Sequence, residues 1–279
     1  MFDYHIIPIA MINIQIVSDL HLEFIGDKKK FNIIKPTAPY LALVGDICCV
    51  ADVKDFQIFK NFILELLPQY EHIIMVSGNH EAYTSSKQPT KLQTIDACHA
   101  KIRAFFRETS KKLHYLQNNT LKILKGKKLY YIIGTTLWSN IPKDQYANIQ
   151  SSLSDYKHIY IEDNNKVRLI TPEDIVTMFK RNYLYIKTQL ARAAVDGATA
   201  IVLTHHCPFI KPDFGKNKLD YGYYTDCSML FTKNVALWGY GHTHIRDDHQ
   251  HKGVRFYSMP KGYPMQHTNF DRAKSITVK

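Results

Sequence analysis

Short apolar runs, each closed by a polar cluster, recur along the chain. Ile12–Val17 leads into Ser18-Asp19-Leu20-His21, Tyr40–Val44 into Gly45-Asp46, and Ile73–Val76 into Ser77-Gly78-Asn79-His80-Glu81. Ala200–Leu203 leads into Thr204-His205-His206, and Ala236–Trp238 into Gly239-Tyr240-Gly241-His242-Thr243-His244. Continuous apolar runs of about four to six residues predict strands buried on both faces. Leu113–Leu116, Leu121–Leu124, Leu129–Ile133 and Val254–Ser258 predict further strands. Helical spacing fills three intervals. Residues 53–67 place Val53, Phe56, Phe59, Phe62, Ile63, Leu66 and Leu67 on one face and stop at Pro68. Residues 90–108 do the same with Leu92, Ile95, Cys98, Ile102, Phe105 and Phe106. Residues 172–195 open with Thr171 as N-cap, Pro172 at the first helical position, and Glu173 and Asp174 in the first turn, and Gly197 closes them.

This alternation predicts an α/β chain with a buried sheet core. No internal repeat or low-complexity linker interrupts it, so residues 1–279 are expected to form a single domain. Residues 1–10 contain Asp3 and Pro8 and lack a basic start, unlike a secretory leader. They read as an extension ahead of Met11 or as an extra edge strand.

Composition narrows the class. A 279-residue chain that is 45% hydrophobic and 22% charged is not disordered. No apolar run approaches the ~18 residues of a membrane span. The five cysteines include no CxxC pair, and Cys48 and Cys49 are neighbours, so a reducing, cytoplasmic compartment is expected rather than a disulfide framework. The net charge of +11 points to an anionic partner: nucleic acid, a phosphate ester or a membrane surface. Eleven Lys and Arg lie in residues 84–130 against Asp96 and Glu108 alone, a local net of +9. That segment reads as a solvated helix face with a Lys-rich turn at Gly126, or as an anion-attracting surface. Either way it is remote from most of the polar clusters, so nucleic acid is not favoured as the partner.

The clusters carry the chemistry. Asp19 and His21 are spaced i, i+2, which on an extended strand turns both to one side. Asp46 follows a strand, Asn79 offers a neutral oxygen, and His205, His206, His242 and His244 supply imidazoles. In open α/β sheets ligands gather at the carboxyl ends of strands, which would bring Asp19, His21, Asp46, Asn79, His205, His242 and His244 together. A mixed carboxylate, amide and imidazole set suits Mn, Fe or Zn better than Ca. Seven ligands exceed a tetrahedral site, so two divalent ions sharing a carboxylate fit the count.

These motifs, in this order over residues 19–244, resemble the calcineurin-like metallophosphoesterases. Ser18-Asp19-Leu20-His21-Leu22-Glu23-Phe24, Gly134-Thr135-Thr136-Leu137-Trp138 and Pro260-Lys261-Gly262-Tyr263 are similar to phrases of a bacterial and phage subgroup of small phosphohydrolases. The resemblance implies a four-layer α/β/β/α sandwich with two mixed sheets. It assigns Asp19, His21, Asp46 and His244 to one ion, and Asp46, as the bridge, with Asn79, His205 and His242 to the other. His80 is then expected to act on the phosphate or leaving group without binding metal. In the fourth motif His205 is taken as the ligand and His206 as a candidate substrate contact. Glu81 is either an orienting partner of His80 or a surface carboxylate.

The implied reaction is in-line attack by a metal-bridging hydroxide on a phosphomonoester or phosphodiester of a small molecule or nucleotide. A nuclease or phosphoprotein phosphatase is the alternative, and a non-catalytic scaffold a third reading. The phosphoprotein phosphatases share Glu81 but add an Arg after the second motif, where this chain reads Gly45-Asp46-Ile47-Cys48-Cys49-Val50-Ala51. Residues 207–228 hold Lys211, Lys216, Lys218, Tyr221, Tyr223 and Tyr224, with Tyr223 a candidate substrate contact. His249 and His251 are expected in an exposed turn before the Val254 strand.

Overall fold

The computed structural model describes residues 11–26 and 30–279. The expectation for residues 1–10 lies outside the described residues. In chain order the strands are β1 (Ile12–Val17), β2 (Tyr40–Val44), β3 (His72–Val76), β4 (Leu113–Tyr115), β5 (Asn119–Lys125), β6 (Lys128–Thr135), β7 (Tyr160–Asp163), β8 (Lys166–Leu169), β9 (Thr199–Thr204), β10 (Val235–Gly239), β11 (Asp247–His251), β12 (Val254–Ser258) and β13 (Ile276–Val278). The helices are α1 (Val53–Leu66), α2 (Ile95–Thr109), α3 (Tyr146–Ser152), α4 (Asp155–His158), α5 (Pro172–Val195) and α6 (Asp220–Tyr223).

Two large sheets result, ordered β13-β1-β2-β3-β4 and β11-β12-β10-β9-β6-β5. Each has a parallel centre, and antiparallel strands sit at one edge of the first (β13) and at both edges of the second (β11, β5). Strand alternation builds the layers, because successive side chains leave opposite faces. Tyr40, Ala42 and Val44 of β2 share a core with Ile12, Ile14 and Ile16 and with Ile132, Ile201, Leu203 and Leu237 of the other sheet. Leu41 and Leu43, the intervening residues, belong instead to the core that contains Phe59 and Phe62 of α1 and Ile102 and Phe106 of α2. On the second sheet Tyr131, Ile133 and Val202 join that core's Ile186 and Leu190 of α5. Helices therefore flank two mixed sheets, as expected.

Two helices start or stop differently from the periodicity. Before α2, Lys91–Gln93 form a separate 3-10 turn capped by Thr90 and Gln93. After α1, Leu67–Gln69 tighten into another 3-10 turn containing Pro68. α5 begins as predicted, with Thr171 and Asp174 closing a reciprocal cap. One expectation is corrected. His249 and His251 are in strand β11, paired with Phe256 and Val254 of β12, not in a turn. Asp247–His251 is too polar to read as a strand, and only antiparallel pairing at the sheet edge makes it one. Among the described residues, no helix is long and apolar enough to cross a membrane.

Candidate metal centre

The predicted ligands leave the carboxyl ends of β1, β2, β3, β9 and β10. These strands are parallel within each sheet, so their terminal loops meet. The loops turn sharply there. Asp19, His21, Asp46, His242 and His244 have φ of 54°, 48°, 55°, 67° and 53°, the left-handed region that side chains normally avoid. Two glycines make room. A Cβ at Gly45, itself at φ 87°, would collide with the His205 ring, and one at Gly78 with the Asp46 carboxylate.

The side chains form two adjoining groups. Asp19, His21 and His244 make one, and Asp46, His205 and His242 the other; within each, candidate ligand atoms lie within 4.8 Å of one another. Asp46 stands between them, with Oδ2 3.9 Å from His21 Nε2 and Oδ1 3.3 Å from His205 Nε2. Asn79 Oδ1 is 3.1 Å from His205 Nε2. Three imidazoles are fixed through their far nitrogen: His205 Nδ1 contacts the Val44 carbonyl at 2.9 Å, His244 Nδ1 contacts Gln266 at 2.7 Å, and His21 Nδ1 contacts Glu23 at 3.1 Å. Such contacts fix the ring orientation and aim Nε2 at the place where a metal ion would take its lone pair. His21 Nε2 and His244 Nε2 then face each other at 3.2 Å, an arrangement that a shared cation would explain. His242 Nε2 is buried without a partner among the described residues.

His80 stands beside this set. Its Nδ1 is 3.0 Å from Glu23 Oε1 and its Nε2 is 3.0 Å from the Tyr263 hydroxyl. The partner that orients His80 is thus Glu23, not Glu81. Glu81 is fully buried rather than a surface carboxylate, and it accepts the backbone N–H groups of Asp46, Ile47 and Gly78 at 2.6–3.1 Å. It pins the second and third loops together. Asn79 is held by a residue that the sequence did not flag: its Nδ2 donates to Asp155 at 2.8 Å, and the Tyr83 hydroxyl donates to the same oxygen. A cleft of about 470 Å³ opens over Asp46, Asn79, His80, His242 and His244, with Tyr223 in its wall. Tyr223 stacks on His242, ring centres 4.8 Å apart. His206 is buried behind His242, against that ring and Trp138, and is not among the residues lining the cleft. Lys211 is paired with Asp220 and Asp213.

Charge in the site is balanced by protons. Burial opposes a charge on His205, but the Asp46 and Asp19 carboxylates outweigh it and raise its pKa to about 10. Burial likewise opposes a charged His80, and Asp46 and Glu23 raise it to about 9. Against its own burial, the bonds from His21 and His80 hold Glu23 at about 2. His206 is lowered to about 3 by burial and by His205. Burial, with His206 and His205, also lowers His242, keeping it neutral. Burial and the neighbouring Asp46 push Glu81 up to about 7. A dication held by Asp46 and His205 would take over the role of the His205 proton. Two carboxylates, an amide oxygen and four imidazoles, three of them aligned by outer hydrogen bonds, suit divalent transition ions.

Known proteins resemble this chain in sequence and in fold. A family model described as calcineurin-like phosphoesterase matches residues 12–246. An uncharacterised protein of Acanthamoeba polyphaga mimivirus is 29% identical over 281 residues, spanning 94% of this chain and 95% of that one. Among solved structures, phosphopantetheinyl hydrolase from Mycobacterium tuberculosis aligns with a TM-score of 0.67 at 18% identity, over 91% of each chain. A dimetal phosphatase from Danio rerio aligns with a TM-score of 0.51 at 10% identity, over 96% of this chain and 98% of that one. At these identities the solved structures share the fold.

Proposed function

The chain belongs to the calcineurin-like phosphoesterase family, and from that premise we propose that it is a binuclear metal-dependent phosphoesterase. Its substrate is a phosphomonoester or phosphodiester of a small molecule or nucleotide, and the chain works as one domain. The observation that carries the reading is Asp46, which presents one oxygen to each of two ligand groups. Asp19, His21, Asp46 and His244 would hold one divalent ion, and Asp46, Asn79, His205 and His242 the second. Bound there, the two ions would supply an activated water and positive charge for the phosphate oxygens.

The remaining steps belong to side chains. Glu23 holds the Nδ1–H of His80 and keeps the ring protonated. The Nε2–H of His80 then faces the cleft beside Tyr263 and can pass a proton to the leaving oxygen. Asp155 and Tyr83 hold the Asn79 amide so that its oxygen turns toward His205. Tyr223 and Leu219 form part of the cleft wall.

Asn79→Ala and His242→Ala are expected to bind one ion in place of two and to lose about 10²-fold or more in turnover of an aryl phosphate or its diester. Metal analysis and initial rates with added Mn²⁺ read both effects. Full metal content with wild-type turnover in either variant would overturn the ligand assignment.

A further inference from the structure

A second lobe, of about 410 Å³, adjoins the cleft and shares His80, Tyr83, Ser154 and Tyr263 with it. Three carboxylates line it, Glu23, Asp52 and Asp55, together with the rings of Phe24, Tyr83 and Tyr263. Among the described residues, no lysine or arginine lines it. Asp52 accepts neutral donors, among them the hydroxyls of Thr84 and Ser85, the Ser85 N–H and Gln93, and has no cationic side chain paired with it among the described residues. Glu23 is the more telling residue. Its side chain is 9% exposed, Oε1 takes the contacts with His21 and His80, and Oε2 is buried without a hydrogen-bond partner. Burial and the charges of Glu23 and Asp52 push the Asp55 carboxyl upward, with only Lys54 acting the other way. Phe24 is 57% exposed and meets Tyr263 edge-on at 5.7 Å.

We propose that this lobe receives the alcohol part of the substrate, and that this part carries an ammonium or quaternary ammonium group. The inference rests on the phosphoesterase reading above. The Glu23 charge is met by His80 and Lys261, so Asp52 and Asp55 supply the negative field, and aromatic faces attract an organic cation through their quadrupoles. A bare divalent ion would need several close oxygen or nitrogen ligands, whereas Phe24, Tyr83 and Tyr263 present ring faces and edges here. The placement also suits the reaction. With phosphate in the metal-lined cleft and the alcohol in the lobe, the bond to be broken lies at His80, which borders both. Water adds to phosphorus, the P–O bond to the alcohol breaks, and the alkoxide oxygen takes the proton of His80. The products are inorganic phosphate, or a monoester from a diester, and an amino or quaternary ammonium alcohol.

The test compares choline with its uncharged isostere 3,3-dimethylbutan-1-ol. Each is titrated into the full chain and followed by ligand-observed NMR, and their phosphate esters are compared as substrates with added Mn²⁺. Choline is expected to bind at least about tenfold more tightly, and its ester to show a similarly higher kcat/KM. Asp55→Asn and Phe24→Ala should each reduce the choline preference severalfold. Equal binding of the two alcohols, or a choline preference unchanged in both variants, would overturn the proposal, and the wild-type comparison needs no variant to fold. A binding preference with hydrolysis of neither ester, nor of an aryl phosphate, would refute the phosphoesterase reading while showing the lobe to bind cations; hydrolysis of the aryl phosphate alone would overturn the lobe as the alcohol site. Equal hydrolysis of both esters would refute the lobe and leave that reading standing.

Discussion

Glu23 and Glu81 show how far a residue's role is set by what surrounds it. Both carboxylates are buried and both lie beside predicted site residues in sequence. Glu81 follows His80 directly, yet its oxygens turn back to three backbone N–H groups. Glu23 is distant from His80 in the chain and reaches it because the Asp19–His21 loop folds over the third motif. The i, i+2 spacing of His21 and Glu23 was visible in the sequence, but the contact with His80 depends on tertiary structure. The shift on His80 gives a pH prediction. Glu23 and Asp46 raise its pKa to about 9 against burial, so the protonated form required of a general acid persists below that pH and is lost above it. In Glu23→Gln one of the two supports is gone. The basic limb of the pH–rate profile should move to lower pH, with the loss of turnover greatest on the alkaline side. An unchanged basic limb would show that Glu23 does not sustain the proton on His80.

At the scale of elements, the apolar runs were legible because the central strands are buried on both faces. β1, β2, β3, β9 and β10 all appear where the runs predict them, and each ends at a ligand cluster. The unread elements lack that signature. β11 is polar, β7 and β8 form a separate two-stranded sheet, and α3, α4 and α6 are too short to show a period. That is why Asp155, in the short helix α4, escaped detection. It is nevertheless the residue that holds Asn79. Asp155→Ala should leave Asn79 present but unaligned. Affinity for the second ion should drop by about 10- to 100-fold, measured by competition with a metal chelator, while the first ion is retained. Loss of both ions together would point to collapse of the loop, and loss of neither would mean that Asn79 is held by other contacts. The strained loops are part of the same element-level design. Five ligands at positive φ cost conformational energy that the parallel strands and the Glu81 bonds offset.

For the whole molecule, the net charge of +11 is separated from the site. Lys122 and Lys125 on the edge strand β5, and Lys128 beside it, lie over the rings of Tyr131, Tyr40 and Tyr130. Lysines on such an edge discourage pairing with another sheet. No lysine or arginine is among the described residues lining the cleft, so formal charge does not account for attraction of a phosphate. Metal ions would, and counting side-chain charges leaves them out. Two sheets whose carboxyl ends converge are what let seven residues, spread from Asp19 to His244, act as one site. The direct test is hydrolysis of an aryl phosphate by chelator-stripped protein as Mn²⁺ is titrated in. Activity should be absent without metal and rise to its plateau at about two equivalents per chain. Full activity without metal, full activity at a single equivalent, or no activity at any Mn²⁺ concentration would contradict a binuclear phosphoesterase.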